Sequence, residues 1–156
     1  MTQVSPHFSW AEVTRSDKAL ALKIDNALPL GLRGNAERIA ALAEEARAHL
    51  GGLPLHVNSW YRCPALNKAV GSNGRSVHPL ALAIDFEAPA GMTNREAFLA
   101  LSESTLLFDQ LIHERTDDGA NWIHLGLRPG TSRRMAMLAT GRVRGGQMNF
   151  SRIATG

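Results

Sequence analysis

Apolar side chains recur at intervals of three and four residues in the first third of the chain. The positions are Ala36, Ile39, Ala40, Ala43, Ala46 and Leu50. Residues at this spacing share one face of an α-helix, so the pattern predicts an amphipathic helix that begins near Asn35. Gly51-Gly52 follows directly and indicates where that helix ends.

Polar residues in capping positions predict two shorter helices. Ser9 stands immediately before Trp10, where its side-chain oxygen can accept a hydrogen bond from the first helical turn. Thr93 and Glu96 have the spacing of a capping box, which predicts a helix that runs to about Ser102. We expect the rest of residues 7–28 to form an extended lead-in.

Alternation of apolar and polar side chains predicts four strands. The segments are residues 53–61, 81–86, 109–114 and 122–127. A period of two residues is typical of a strand that buries one face. The last two segments are close enough to pair across a turn at 115–121. Residues 63–78 are rich in Gly, Ser and Asn, so we predict a loop that surrounds a site.

The length and composition favour one folded domain. The chain has 156 residues, of which 44% are hydrophobic, and this is enough for a single core. We predict that the domain covers residues 1–140. Residues 141–156 contain several glycines and arginines but few large apolar side chains. They are predicted to be a flexible or loosely attached C-terminal tail.

The charge balance is mildly basic. The net charge is +3 and the isoelectric point is about 9.6, which favours attraction to polyanions such as cell-wall polymers. No aromatic platform is interleaved with the basic residues, so nucleic-acid binding is not predicted. Cys63 is the sole cysteine, which excludes an intrachain disulfide and a cysteine-based zinc site.

The sequence carries no pattern of membrane insertion. No apolar run approaches the roughly 20 residues of a membrane span, and the first ten residues lack the basic start and apolar core of a signal peptide. We therefore expect the protein to be made in the cytoplasm. We also expect it to be a monomer. To act on the cell wall or in the periplasm, it would have to be released by another protein.

Three side chains suit a catalytic zinc site. His78 and Asp85 are separated by six residues, which argues against one helix face and favours a loop followed by a strand. His124 alternates with the apolar Ile123 and Leu125, so we expect it to face away from the core. Two imidazoles and one carboxylate would leave a single Zn²⁺ with an open fourth position for water.

Further residues suit the chemistry of a hydrolytic zinc centre. Glu114 is the best candidate for the base that takes a proton from water and passes it to the leaving amine. Arg62 can hold a substrate carboxylate or stabilise an oxyanion by a two-pronged contact. Trp60 can either fill the core or form the floor of a substrate groove. Arg62 and Glu114 also permit plainer interpretations, as a surface cation and an exposed strand carboxylate.

The other histidines and the cysteine are not assigned to the site. We interpret four histidines as ordinary surface or core residues: His7, His49, His56 and His113. Cys63 has no evident histidine partner in the sequence, so cysteine catalysis is not predicted.

Three segments resemble the zinc D-alanyl-D-alanine peptidase family, in particular its short phage and bacterial members. They are Asn58-Ser-Trp-Tyr-Arg-Cys-Pro-Ala-Leu-Asn67, Ser76-Val-His-Pro-Leu-Ala-Leu-Ala-Ile-Asp85 and Trp122-Ile-His124. The resemblance extends from about Phe8 to Leu138. It implies an α+β fold of the kind shared with hedgehog proteins, with a small antiparallel sheet flanked by helices.

The resemblance also implies roles for individual residues. His78, Asp85 and His124 would hold one zinc ion. Arg62 would contact the substrate or the oxyanion, and Ser76 would lie near the substrate carboxylate. Asn67 ends the first family segment and is included among the substrate-binding candidates.

Three positions depart from the family pattern. Trp60 and Ala81 stand where glycine is usual, so the backbone there is expected to avoid any conformation open only to glycine. Asn121 stands where many relatives have an acidic residue. The identity of the base therefore stays open between Glu114 and two residues of the adjoining turn, Asp117 and Asp118.

The leading hypothesis is a zinc metallopeptidase of the D,D-carboxypeptidase or endopeptidase type that cleaves peptidoglycan at D-amino acids. A phage lysis enzyme fits the composition, as does a tail-associated or bacterial wall-remodelling enzyme. The bond would be terminal D-Ala-D-Ala, the D-Ala to diaminopimelate cross-link, or L-Ala to D-Glu. The alternative is a non-catalytic wall-binding or structural phage module with a peptidase-like fold.

Overall fold

The computed structural model of the protein describes residues 2–72, 74–143 and 146–154. Its helices are α1 (Trp10–Thr14), α2 (Asp17–Leu22), α3 (Arg33–His49), α4 (Pro64–Ala69) and α5 (Asn94–Ser102). Its strands are β1 (Gln3–Ser5), β2 (Phe8–Ser9), β3 (His56–Ser59), β4 (Ala83–Glu87), β5 (Gln110–Thr116), β6 (Asn121–Gly126), β7 (Met135–Gly141) and β8 (Met148–Arg152). Single 3₁₀ turns lie at Leu30–Leu32 and His78–Leu80.

The capping signals of the sequence are used as predicted. Ser9 and Glu12 form a capping box at the start of α1, and Thr93 and Glu96 form one at the start of α5. Helix α3 buries the predicted apolar positions and ends immediately before Leu50. These helices are encoded locally, because the residues that cap them are adjacent in sequence.

Two short helices were not predicted. Helix α2 replaces the extended lead-in, with the Ser16 side chain as its N-cap. Helix α4 lies inside the predicted loop 63–78, where the Cys63 sulfur accepts a hydrogen bond from the backbone N–H of Leu66 at 3.4 Å. Pro64 occupies the first helical position, which proline tolerates well. Residue 73 of that loop lies outside the described residues.

The main sheet is larger than predicted, and it is mixed. Its six strands have the order β3-β4-β6-β5-β7-β8, and β1 and β2 form a separate two-stranded antiparallel sheet. The predicted antiparallel pairing of β5 with β6 is confirmed. However, β7 runs parallel to β5, so the main sheet is mixed, and the small antiparallel sheet in the described structure is the one that β1 and β2 form. The fold class is α+β.

The two faces of the main sheet differ. One face packs its apolar residues, among them Phe86, Leu111 and Ile123, into the main core with α3 and α5. The opposite face, here called the site face, carries Asp85, His124 and the residues in register with them. The predicted alternation of core-facing and site-facing side chains is therefore confirmed for β4, β5 and β6.

The predicted tail contains an ordered strand. Met148–Arg152 forms β8, which pairs antiparallel with β7 along the edge of the sheet. Four of its five side chains are exposed, so its backbone hydrogen bonds, rather than apolar burial, hold it in place. Ile153 follows and packs against the main core. The description of 141–156 as loosely attached is thus corrected for this segment, whereas 144, 145, 155 and 156 lie outside the described residues.

Within the described ranges, no helix has the length and apolar content needed to cross a membrane.

Candidate metal centre

Three chain segments bring the predicted ligands together. Asp85 on β4 and His124 on β6 are direct register partners across the antiparallel pair, so their side chains project side by side from the site face. His78 comes from the 3₁₀ turn that precedes β4. Among the described residues, these three form the group of His, Cys, Asp and Glu side chains able to share a metal ion.

The donor atoms are close enough to bind one ion. One ligand atom from each residue lies within 4.8 Å of the other two. Oδ1 of Asp85 is 3.3 Å from Nε2 of His78 and 2.9 Å from Nδ1 of His124. Two imidazoles and a carboxylate are a common donor set for catalytic zinc.

The orientation of His78 is fixed by a backbone group. Its Nδ1–H donates a hydrogen bond to the carbonyl oxygen of Trp60, so Nε2 is the nitrogen left to bind a metal. The ring is 1% exposed, and no described group forms a hydrogen bond with Nε2. Burial lowers the pKa of His78 and thereby favours the neutral ring. The Nε2 lone pair then faces the Asp85 carboxylate, an arrangement that a shared cation would stabilise.

Asp85 and His124 stabilise each other's charged forms. Burial by itself raises the pKa of Asp85, but the two neighbouring imidazoles outweigh it and hold the pKa well below its ordinary value. Burial also lowers the pKa of His124, yet its hydrogen bond to Asp85, with the charges of Asp85 and Glu114, raises the pKa above the ordinary value. A metal that binds here would displace the His124 proton.

Small residues leave room beside His124. Ala83 and Gly126 are register partners on β4 and β6, one step along the site face from Asp85 and His124. A methyl group at Gly126 would lie 3.2 Å from Nε2 of His124. The His124 ring therefore rests against the bare backbone at Gly126 and presents Nδ1 toward Asp85.

A family model described as Peptidase M15 matches residues 6–126, which is most of the chain and includes all three ligands. The chain belongs to the peptidase M15 family. No curated protein matched the sequence closely enough to count as a relative. M15 peptidases are zinc-dependent metallopeptidases, and the His78, Asp85 and His124 cluster has the donor set that such an enzyme requires. The family match stops at the end of β6, short of the region near Leu138 that the resemblance was expected to reach.

Arg62 lies beside the centre of this M15 chain. Its backbone N–H donates to the carbonyl oxygen of His78 at 3.3 Å, which ties Arg62 to the metal-binding turn. Burial lowers the pKa of Arg62, while the carboxylates of Asp85 and Glu114 oppose that shift. Its Nε is buried and has no hydrogen-bond partner among the described residues. The side chain is thus a partly buried cation whose charge interacts with both acidic groups.

Glu114 is closer to the centre than the two competing carboxylates. It pairs with Trp122 across β5 and β6, which makes it a diagonal neighbour of His124 on the site face. Its charge contributes to the raised pKa of His124. Asp118 instead accepts hydrogen bonds from Thr116 and the Ala120 N–H in the turn beyond the strands, and Asp117 lies in the same turn.

The remaining substrate-binding candidates have different surroundings. The Trp60 side chain is 0% exposed and packs edge-on against Phe8, which favours the core interpretation over the groove floor. Trp60 acts at the centre through its carbonyl oxygen alone. Ser76 accepts a hydrogen bond from the His78 N–H at 3.2 Å, which shapes the turn. Asn67 is buried on α4, and its Oδ1 has no partner in the described part of the chain.

Two departures from the family pattern are explained by local structure. Ala81 has φ 57° and ψ 29°, so it adopts the left-handed conformation that glycine favours, contrary to expectation. An alanine can occupy this region at a cost of about 1–2 kcal/mol. The Asn121 side chain accepts a hydrogen bond from Asn94 at 2.8 Å and contacts His113, so it is committed to the α5 side of the sheet.

The structure also locates the residues that the sequence did not assign to the site. His113 is buried against Phe98, which confirms its interpretation as a core residue. The Trp60 carbonyl and Gly126 were missed as contributors to the centre. Every residue has a backbone carbonyl, so the sequence gives no signal for the role of Trp60. Gly126 lies two residues after His124 and so on the same face of the strand, which is the one signal that could have identified it.

Proposed function

We propose that this chain is a zinc-dependent peptidase that cleaves peptidoglycan peptides at D-amino acids. The observation that carries the proposal is the buried Nε2 of His78, which lies 3.3 Å from the Asp85 carboxylate beside His124, in a chain of the M15 family. The net charge of +3 supports attraction to anionic wall polymers and so a role in wall lysis, as in phage release. We also propose that the chain has the fold shared by D-Ala-D-Ala peptidases and hedgehog proteins.

His78 would hold the metal through Nε2, Asp85 through Oδ1 and His124 through Nδ1. Zinc at this position supplies Lewis-acid chemistry, which polarises a peptide carbonyl and makes water a nucleophile near neutral pH. The Trp60 carbonyl keeps His78 in the required tautomer, and Gly126 leaves room for the His124 ring. The protein thus orients the donors before substrate arrives.

Glu114 and Arg62 would carry out the remaining steps on the site face. The Glu114 carboxylate would accept a proton from the attacking water and deliver it to the leaving amine. The Arg62 guanidinium would stabilise the negative charge that develops on the scissile carbonyl oxygen, or bind a substrate carboxylate. Its partial burial strengthens such a contact, because the surroundings screen charge less than water does.

Replacement of His124 tests the metal centre. We expect His124→Ala to abolish stoichiometric zinc binding and to stop the release of new amino groups from purified sacculi. Zinc content by atomic emission and amine release would be measured together. His56→Ala is the control, because His56 lies exposed on β3 and should retain both properties. Full activity in His124→Ala would contradict the mechanism.

Replacement of Glu114 separates proton transfer from metal binding. We expect Glu114→Gln to retain zinc and lose activity by about 10²–10⁴-fold, the usual contribution of a general base. Asp117→Asn and Asp118→Asn are the controls and should lose much less. If one of these two variants showed the large loss of activity instead, the catalytic base would belong to the turn.

Mass spectrometry of the muropeptides released by the wild type identifies the bond that is cleaved.

A further inference from the structure

A second apolar cluster lies on the site face, next to the proposed metal centre. It consists of Ile112, Met137 and Ala139, with Met135 and Met148 packed against them, and is here called the methionine shelf. The shelf is separate from the main core, which lies on the opposite face of the sheet.

The shelf continues directly from the site through the strand register. One row across the sheet runs through Asp85, His124, Ile112, Met137 and Arg152. The neighbouring row runs through Trp122, Glu114, Ala139 and Phe150. Register partners project from the same face, so Glu114 and Phe150 face the same side with only the small Ala139 between them.

The outer end of this surface is exposed. Phe150 is 55% exposed, although a large apolar side chain on a strand is usually covered. Arg152 lies on the same exposed face of β8 and adds a positive charge. Both residues, and the whole of β7 and β8, lie beyond residues 6–126 matched by the M15 family model. The outer part of this surface therefore lies outside the matched region.

We propose that Phe150 and Arg152, at the exposed outer end of this face, bind the part of an extended, carboxylate-bearing wall peptide that lies away from the scissile bond. The shelf residues Ile112, Met137 and Ala139 are themselves buried. The inference rests on the proposed function, since it places the reacting bond at the metal. Phe150 provides an apolar surface for the peptide, and Arg152 attracts its carboxylates. The chain would then select long or cross-linked peptides over terminal dipeptides.

The sheet geometry sets the length that such a substrate needs. Phe150 on β8 is three strand spacings from the ligand His124 on β6, which is about 14 Å. An extended peptide advances by about 3.3 Å per residue, so the Phe150 contact lies roughly four residues from the bond at the metal. Peptides shorter than this cannot reach both places.

A series of substrate lengths tests the subsite. The probes are the D-Ala-D-Ala dipeptide, a pentapeptide stem that ends in it, and a cross-linked muropeptide. Phe150→Ala is expected to lower kcat/KM for the two longer probes by about tenfold, and to leave zinc content and dipeptide cleavage unchanged. Arg152→Ala is expected to act in the same direction. Leu99→Ala is the control, because Leu99 is a partly exposed apolar residue on α5, behind the sheet.

Binding of the same peptides separates this inference from the proposed function. The probes would be titrated into zinc-loaded Glu114→Gln protein with and without Phe150→Ala. A length-dependent loss of affinity supports the subsite even if the wild type cleaves none of the probes, and in that case only the proposed function fails. An equal effect of Phe150→Ala on all lengths, or no effect on any, would overturn the subsite in a correctly folded protein.

Discussion

Individual residues at the centre are oriented by contacts with distant parts of the chain. The Trp60 carbonyl fixes the tautomer of His78, eighteen positions later, and Asp85 is the hydrogen-bond partner of His124. The same orienting contacts are expected to tune the affinity for the metal, because a ligand that is held in place loses little freedom when it binds. Substitutions beside the ligands should thus alter zinc binding without removing a donor.

Gly126 provides a test of this point. We expect Gly126→Ala to weaken zinc binding by about tenfold or more, because the added methyl would press on Nε2 of His124 and turn Nδ1 away from Asp85. Competition with a chelating dye would measure the affinity. Gly34→Ala is the matched control, since a methyl there meets nothing within 4 Å. An unchanged affinity in Gly126→Ala would show that the ring relaxes freely.

Among the elements, β5 and β7 are joined at their starts by an ion pair between the buried Asp109 and the half-exposed Arg133. Asp109 precedes β5 and accepts hydrogen bonds from the backbone N–H and the guanidinium of Arg133, which precedes β7. Backbone bonds at Arg134 and Met135 continue the connection into the strand. Asp109 is 3% exposed, whereas the Arg133 side chain is 48% exposed. This pair aligns the starts of two strands that no hairpin joins.

The Asp109 pair gives the fold a defined dependence on pH. Burial raises the pKa of Asp109, but the hydrogen bonds from Arg133 outweigh it and lower the pKa below the ordinary 3.8. A lowered pKa in the folded state stabilises the protein above the unfolded-state value, and this contribution is lost as the pH falls through the folded-state value. We expect Asp109→Asn to reduce the free energy of unfolding by about 1–3 kcal/mol at neutral pH.

Urea unfolding between pH 3 and pH 7 would measure the difference in the free energy of unfolding between the wild type and Asp109→Asn. It should be constant at the upper end and shrink below about pH 4, where the wild-type carboxyl becomes protonated. Asp17→Asn is the control, because Asp17 is an exposed residue of α2. A difference between the wild type and Asp109→Asn that persists unchanged to pH 3 would contradict the assignment.

At the scale of the whole molecule, the folded unit extends beyond the family match. The match ends with β6, yet Ala136 on β7 belongs to the main core, and Leu138 and Ile153 pack against it. β5 would become an edge strand without β7, and it would expose unpaired backbone groups. The C-terminal segment should therefore contribute to stability as well as to the proposed substrate surface.

Removal of residues 141–156 tests this contribution. We expect the shortened chain to unfold at a lower urea concentration than the full chain, because β7 loses β8 on its outer side and the core loses Ile153. Zinc binding should be retained, since all three ligands lie upstream. Equal stability of the two chains would restore the prediction that residues 141–156 are a loosely attached tail.

The sequence by itself determined the local elements and the identity of the ligand candidates. Capping boxes and apolar periods act between neighbouring residues, so α1, α3, α5 and the alternation of β4 to β6 could be predicted from the printed chain. The ligand candidates His78, Asp85 and His124 were recognisable because donor chemistry belongs to the side chain itself.

Only the tertiary structure decided how those pieces meet. The parallel placement of β7, the strand β8 and the burial of Trp60 depend on contacts between segments far apart in sequence, which no local period encodes. The choice of Glu114 over Asp117 and Asp118 as the carboxylate beside His124 depends likewise on strand register. Register and layer packing are settled by the core as a whole, so the geometry of the site became visible only in the folded chain.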